Sequence, residues 1–162
     1  MSNTTNQTYP CVKGRDSSTF VADSGIEYYV YYISAYEASG HELEAFEFGF
    51  APVGIADIRT VKNRTVDKKV AATIAFIIRE VLNKPNRILY YTCEYTDNRH
   101  EQRNLLFYKW FDAFNDGKFG RLEYPIKRKG EPTIFFTAIY RTDNPNLGQL
   151  NGIIMDYLGD LK

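Results

Sequence analysis

The chain has 162 residues, 44% hydrophobic and 25% charged, and its 20 Lys plus Arg balance its 20 Asp plus Glu. That length suits one domain with a real core, and a net charge of zero gives no electrostatic drive toward nucleic acid or an anionic membrane. No apolar run approaches the ~20 residues of a membrane span and no secretory signal opens the chain. With Cys11 and Cys93 far apart in sequence, the expectation is a cytoplasmic protein without a disulfide.

Residues 1–17 are polar and mixed and read as a flexible arm; a single domain is expected over 18–162. Aromatic content is high, with 13 Tyr and 11 Phe, which argues for a sizeable sheet. A short strand at Ser18–Ala22 is followed by the turn residues Asp23, Ser24 and Gly25, then by IEYYVYYISAY over Ile26–Tyr36, so a hairpin is predicted. Both faces of the second run are apolar or aromatic, which predicts a central strand. Glu44–Val53 alternates, with Phe46, Phe48 and Phe50 on one face and Glu47 and Gly49 on the other; a mid-strand glycine predicts a bulge or a close approach by another group. Gly54–Arg64 reads as a long basic loop. A helix is predicted from Thr65 or Asp67 as cap, with Val70, Ile74, Ile77, Ile78 and Val81 on one face and Asn83-Lys84-Pro85 as the stop.

Arg87–Cys93 is apolar on both faces and predicts a second central strand. Asp97 or Asn98 then caps a helix running to about Asn115. Strands at Phe119–Lys127 and Thr133–Tyr140 flank the turn Arg128–Glu131, and Asn144-Pro145 reads as cap and first residue of a last helix, with Leu150, Ile153, Ile154, Tyr157 and Leu158 inward. The order predicts an α+β domain: a mostly antiparallel sheet of about six strands with three helices.

The polar knot after Cys93 is the first candidate site. A strand end meets a helix start there, so backbone N–H groups face outward. Arg99 and Arg103 share a helix face at i, i+4, and with Glu94, Tyr95 and Asp97 they would suit a carboxylate or phosphate; the structural alternative is Asp97 as cap and the arginines paired with Glu94 or solvated. The loop with Arg141, Asp143 and Asn144 is a second strand-to-helix turn, joined to the first only if the two strand ends are neighbours. His41 and His100 lack a ligand spacing, so no metal is expected. Cys93, at a strand end near a helix start, is read as a buried apolar residue before a nucleophile. Glu47 and Glu94 are candidate carboxylates for acid–base work. Arg59, Lys62, Arg64, Lys68 and Lys69 form the one basic cluster in mid-chain, a phosphate or nucleic-acid contact if not a solvated loop and first helical turn.

From about Thr19 onward the words SGIEYYVYY, FGF at Phe48–Phe50, DNRHEQRNLLFYKWF and IYRTDNPN resemble a family of small bacterial proteins of unknown function; the likeness implies a family and not a mechanism. The element order is similar to the core of the GCN5-related N-acetyltransferases, in which a glycine-rich turn after a bent strand cradles the pyrophosphate of acetyl-CoA. The corresponding stretch is Pro52–Asp67, which has Gly54 but no Arg/Gln-x-x-Gly-x-Gly/Ala signature, so no cofactor is expected. That resemblance also puts Tyr108 near a tyrosine acid. The leading expectation is an acyltransferase-like domain that binds an anionic small molecule or a protein partner without catalysis, through Glu94, Tyr95, Asp97, Arg99, Arg103, Arg141 and Asn144. The alternative is an N-acyltransferase using acyl-CoA, with Glu47 or Glu94 as base and Tyr108 as acid. The tyrosine content also fits a homodimer.

Overall fold

A computed structural model describes residues 8–37, 43–53, 68–93, 109, 111–127, 129–131 and 133–160. Seven strands form one sheet: β1 (Val12–Lys13), β2 (Ser17–Val21), β3 (Glu27–Glu37), β4 (Glu44–Pro52), β5 (Arg87–Cys93), β6 (Phe119–Ile126) and β7 (Ile134–Arg141), in the spatial order β1-β2-β3-β4-β5-β7-β6. All neighbours are antiparallel except β4 and β5. A parallel pair needs a crossover, and α1 (Lys68–Val81) provides it. The described residues of α2 are 109 and 111–114, and α3 (Leu150–Asp160) follows a 3₁₀ turn at Leu147–Gln149. The fold is α+β as expected, with one strand more than the predicted six. The extra strand is β1, whose two residues are too few to show a period.

The expected arm over residues 1–17 is anchored from Tyr9 onward. Tyr9 is buried, its ring stacks on Phe20, and its backbone N–H donates to Thr73 Oγ1 of α1 at 2.9 Å. Lys69 lies 4.4 Å over the Tyr9 ring, a cation–π contact at the helix start. The expected helix caps at Thr65, Asp67, Asp97 and Asn98 lie outside the described residues. The last helix starts later than Asn144-Pro145 predicts. Asn144 instead closes a turn, its Oδ1 accepting the Asn146 N–H at 2.8 Å while its own N–H donates to the Arg141 carbonyl at 3.0 Å. This local side-chain bond competes with helix formation, and regular α-helix begins at Leu150.

Two apolar cores lie on opposite faces. On one, α1 presents Val70, Ile74, Ile77 and Val81 to Phe20, Tyr28, Val30, Phe48, Leu89, Tyr91 and Ile139. On the other, α3 presents Leu150, Ile153, Ile154 and Leu158 to Ala45, Ile88, Tyr90, Phe136 and Ala138. β5 feeds both, as its two-sided apolar pattern predicts. β3 does not: Tyr28 and Val30 are buried under α1, but Tyr29 and Ile33 on the other face are 41% and 47% exposed. Central position in the strand order is thus correct for β3 and two-sided burial is not, because α3 covers β5, β7 and β6 and reaches no further than Ala45 of β4.

Two arginines fasten the α1–β5 turn. Arg87 donates from Nε to the Glu44 carboxylate at 2.8 Å and from Nη1 to the Val81 carbonyl and Asn83 Oδ1 at 3.0 Å each, with its guanidinium 5.1 Å from the Phe46 ring centre. Arg141 donates from Nη1 to the Asn83 carbonyl at 3.2 Å and makes a two-point contact with Asp143 at 2.8 and 2.7 Å. These bonds set where β4 and β5 begin to pair.

Gly49 answers the glycine expectation with a close approach. A Cβ there would lie 2.3 Å from the Tyr31 hydroxyl, because the Tyr31 ring lies across the glycine from the directly paired position. Gly49→Ala should therefore cost about 1–2 kcal/mol in urea unfolding, and the same change should cost under half as much in a Tyr31→Ser background. Equal costs in the two backgrounds would remove the ring as the cause. The Arg141 hydrogen bonds hold the Asp143 carboxyl below its ordinary pKa. A depressed carboxylate stabilises the fold above its unfolded pKa, and that contribution vanishes as pH falls through the folded value. Asp143→Asn should lower the urea midpoint at pH 7 and leave it unchanged at about pH 2, where both forms are neutral.

Candidate functional site

The parallel pair β4–β5 is short. Its register runs Glu44↔Arg87, Ala45↔Ile88, Phe46↔Leu89 and Glu47↔Tyr90 and then stops, although β4 continues to Pro52 and β5 to Cys93. β4 stays with β3 as far as Pro52, and β5 stays with β7 through the pair Cys93↔Phe135. The sheet therefore forks after the Glu47–Tyr90 rung, and among the described residues no strand fills the gap.

Backbone alternation says which groups face the fork. Glu44 N–H donates across to the Asn86 carbonyl on the β5 side, whereas Val53 N–H donates to the Glu27 carbonyl on the β3 side. Even-numbered residues of β4 thus aim their polar groups at β5 and odd-numbered ones at β3. Beyond the last rung, the Phe48 carbonyl faces the fork from β4, and the Thr92 N–H and carbonyl face it from β5. At Pro52 the row of donors ends, since proline has none. Exposed main-chain groups of this kind are a template for an extended ligand carrying amides of its own.

Side chains furnish both faces of the fork. On the α3 face, Glu47 stands beside Tyr90 at the last rung. Tyr90 is buried and its hydroxyl meets that of Tyr157 at 3.0 Å. Burial and then that bond push the Tyr90 phenol well above its ordinary pKa, with a smaller push from the Glu47 charge, so it stays protonated. Glu47 is exposed and has no ion-pair partner among the described residues. On the α1 face, an apolar pocket of about 60 Å³ lies between α1 and α2, lined by Ala71, Ile74, Ile78, Tyr91, Phe111 and Ile139. Arg79 closes one side by donating to the Phe114 carbonyl at the end of α2, a favourable place for a cation. Tyr91 belongs to both the pocket and the β5 arm of the fork.

Of the residues expected to bind a ligand, Glu94, Tyr95, Asp97, Arg99 and Arg103 lie outside the described residues, as do Tyr108, His41 and His100. Arg141 and Asn144 are described, and both are occupied by turn structure. Arg141 is spent on Asp143 and the Asn83 carbonyl; the Asn144 side-chain oxygen is spent on Asn146, although its Nδ2 has no partner. The register also separates the two strand ends. Tyr140, just before Arg141, pairs with Ile88 near the start of β5, while Cys93, just before the Glu94 knot, pairs with Phe135 at the start of β7. Seven residues of extended strand span about 20 Å. Sequence reasoning named Glu47 but missed its company: Tyr90 and Tyr157 were legible only as inward residues of a strand and a helix, and nothing in a single sequence reports that the two elements meet.

Among the described residues no group of His, Cys, Asp and Glu could hold a metal, and no helix is long and apolar enough to cross a membrane. No curated protein and no solved structure matches the chain. The model of a family of unknown function, DUF6169, matches residues 66–157, from just before α1 to Tyr157 in α3. That span contains the β5 arm of the fork and its two tyrosines, while β4 and Glu47 precede it. With more than half of its length matched, the chain belongs to the DUF6169 family of unknown function.

Proposed function

We propose that the chain binds an anionic, amide-bearing ligand of the acyl-coenzyme A class in the fork between β4 and β5, and that Glu47 there acts as base in transfer of the acyl group to an amine. The observation that carries this reading is the four-rung limit of the parallel pair. Past it, the Phe48 carbonyl on one strand and the Thr92 N–H and carbonyl on the other face whatever enters, which suits the amides of a pantetheine-like arm. The sheet has its parallel pair bridged by α1 and β7 inserted between β5 and β6. The chain leaving β4 returns as α1 through a stretch containing Arg59, Lys62 and Arg64, and α1 opens with Lys68 and Lys69. That density of cations suits a phosphate-bearing ligand end.

The chemistry asked of this chain is modest. An amine nitrogen attacks the thioester carbonyl, the C–N bond forms, and Glu47 takes the amine proton. The C–S bond then breaks, and the sulfur leaves as a thiolate that water protonates. The Tyr90–Tyr157 hydroxyl pair, kept protonated by burial, is the described donor group on the same rung that can meet charge developing on the carbonyl oxygen.

Titration calorimetry with acetyl-CoA tests the fork. Thr92 is exposed and its N–H faces the fork rather than β7, so Thr92→Pro removes one ligand-facing donor at a position where a strand tolerates proline. The expected result is micromolar binding by the parent and about tenfold weaker binding by Thr92→Pro, with a melting temperature within a few degrees. No heat at millimolar acetyl-CoA, or equal affinity in the two proteins, would sink the proposal. Glu47→Gln should bind acetyl-CoA like the parent and transfer acetyl to an amine about 10²–10⁴-fold more slowly. An unaltered rate removes Glu47 from the chemistry and leaves the binding reading alone.

A further inference from the structure

On its α3 side the sheet is covered over β5, β7 and β6 and at Ala45 of β4, and among the described residues no element packs over the rest of β1 to β4. Register gives the open half as a grid. One row is Val21, Glu27 and Val53; the next is Val12, Thr19, Tyr29 and Ala51; the next is Ser17, Tyr31 and Gly49; the last is Ile33, Glu47 and Tyr90, where the open face meets the fork. Val12, Val21, Tyr29, Ile33 and Val53 are each more than 40% exposed. They are five of the eight large apolar side chains that stand exposed among the described residues; the other three are Phe76, Leu147 and Met155, on helices and turns. Scattered exposed apolar residues are ordinary, but five gathered on one sheet face are not.

Charge selects the occupant. Both charged residues on this grid, Glu27 and Glu47, are acidic and exposed, and no strand residue pointing to the face is Lys or Arg. They mark the two ends of the patch, six residues apart along β3, or about 20 Å. Between them the Tyr29 and Tyr31 rings lie 6.4 Å apart at 33°, Tyr29 exposed and Tyr31 half-buried, and aromatic rings attract cations as well as apolar groups. A second copy of this chain laid on the same face would bring only acidic groups to acidic groups, so a self-association is disfavoured. We propose that this open half-face docks a basic polypeptide segment: an extended stretch with an apolar middle and Lys or Arg about six residues apart, one cation meeting Glu27 and the other Glu47.

The proposal stands independently of acyl transfer and is tested without acetyl-CoA. The probe is a fluorescein-labelled peptide with Lys at its first and seventh residues and alternating Val and Ser between, followed by anisotropy at low salt; the comparator has Glu in place of Lys. The expected result is saturable binding of the Lys peptide at tens to hundreds of micromolar, at least about fivefold tighter than the Glu peptide, and weaker as salt is added. Tyr29→Ser with Ile33→Ser should abolish it, and both sites are exposed enough that the fold survives. Glu27→Lys should reverse the preference at that end. The proposal falls if the Lys peptide fails to bind at 1 mM, if both peptides bind alike, or if the Tyr29→Ser, Ile33→Ser pair leaves binding intact. It falls equally if sedimentation shows the parent to be a dimer that this pair dissociates, for the face would then be a self-interface.

Discussion

Everything in the fold turns on how far β4 and β5 stay together. β5 is fixed from three sides. Leu89 and Tyr91 are locked into the α1 core, Ile88 and Tyr90 into the α3 core, and its far edge is zipped to β7 over six paired residues. β4 is fixed to β3 as far as Pro52. Neither strand can shift toward the other without breaking a ladder already made, so the four-rung contact is a settled compromise between two half-sheets. The cost falls on the Phe48 carbonyl and on the Thr92 N–H and carbonyl, which no strand among the described residues pairs, and such groups are retained where water or a ligand satisfies them.

Helix cover is unequal, and the unequal cover sets where tyrosine is used. α1 packs on residues from β2, β3, β4, β5 and β7 and spans both halves of the sheet. α3 packs on β5, β7 and Ala45 of β4, with β6 alongside through Leu122, Tyr124 and Ile126. Along the border of α3 the phenols tie the layers: Tyr90 to Tyr157, and Tyr124 to Asn151. Beyond the border Tyr29 is exposed and Tyr31 half-buried. A phenol suits both settings, because its ring packs while its hydroxyl stays wet or finds a partner.

The local elements were legible because their signals are local. The Asp23-Ser24-Gly25 turn has Gly25 at φ 85°, and the turn before β7 has Gly130 at φ 82°, conformations only glycine adopts at no steric cost. The α1 stripe and the Phe46, Phe48, Phe50 face follow from periods of 3.6 and 2. What the sequence withholds is partnership at long range. The parallel β4–β5 contact and the insertion of β7 beside β5 leave no short-range mark. For the same reason the candidate site was only half legible. Arg141 reads from sequence as an anion ligand at a strand end; within the chain it holds Asp143 and the Asn83 carbonyl, the second 58 residues away. The β3 pattern misled in the opposite direction, since tyrosine counts as apolar in a two-residue period and yet tolerates the exposed face it occupies.

A bulge lies close to the fork. The β3–β4 register slips between Ser34 and Tyr36, opposite Phe46 and Ala45, so β3 carries one extra residue there. Such a bulge increases the right-handed twist at its position. This one lies beside the first rungs of the parallel contact, at Ala45↔Ile88 and Phe46↔Leu89. Past it β4 stays paired with β3 as far as Pro52, while β5, clamped by Arg87 at its start, stays paired with β7 along its length. Glu47 is thus the last β4 residue held against β5 and the first released into the gap. A carboxylate there stands at the seam of the two half-sheets, with the forked backbone ahead of it, the tyrosine pair beside it and the open aromatic face behind, a position the two ladders set and no property of Glu47 itself could.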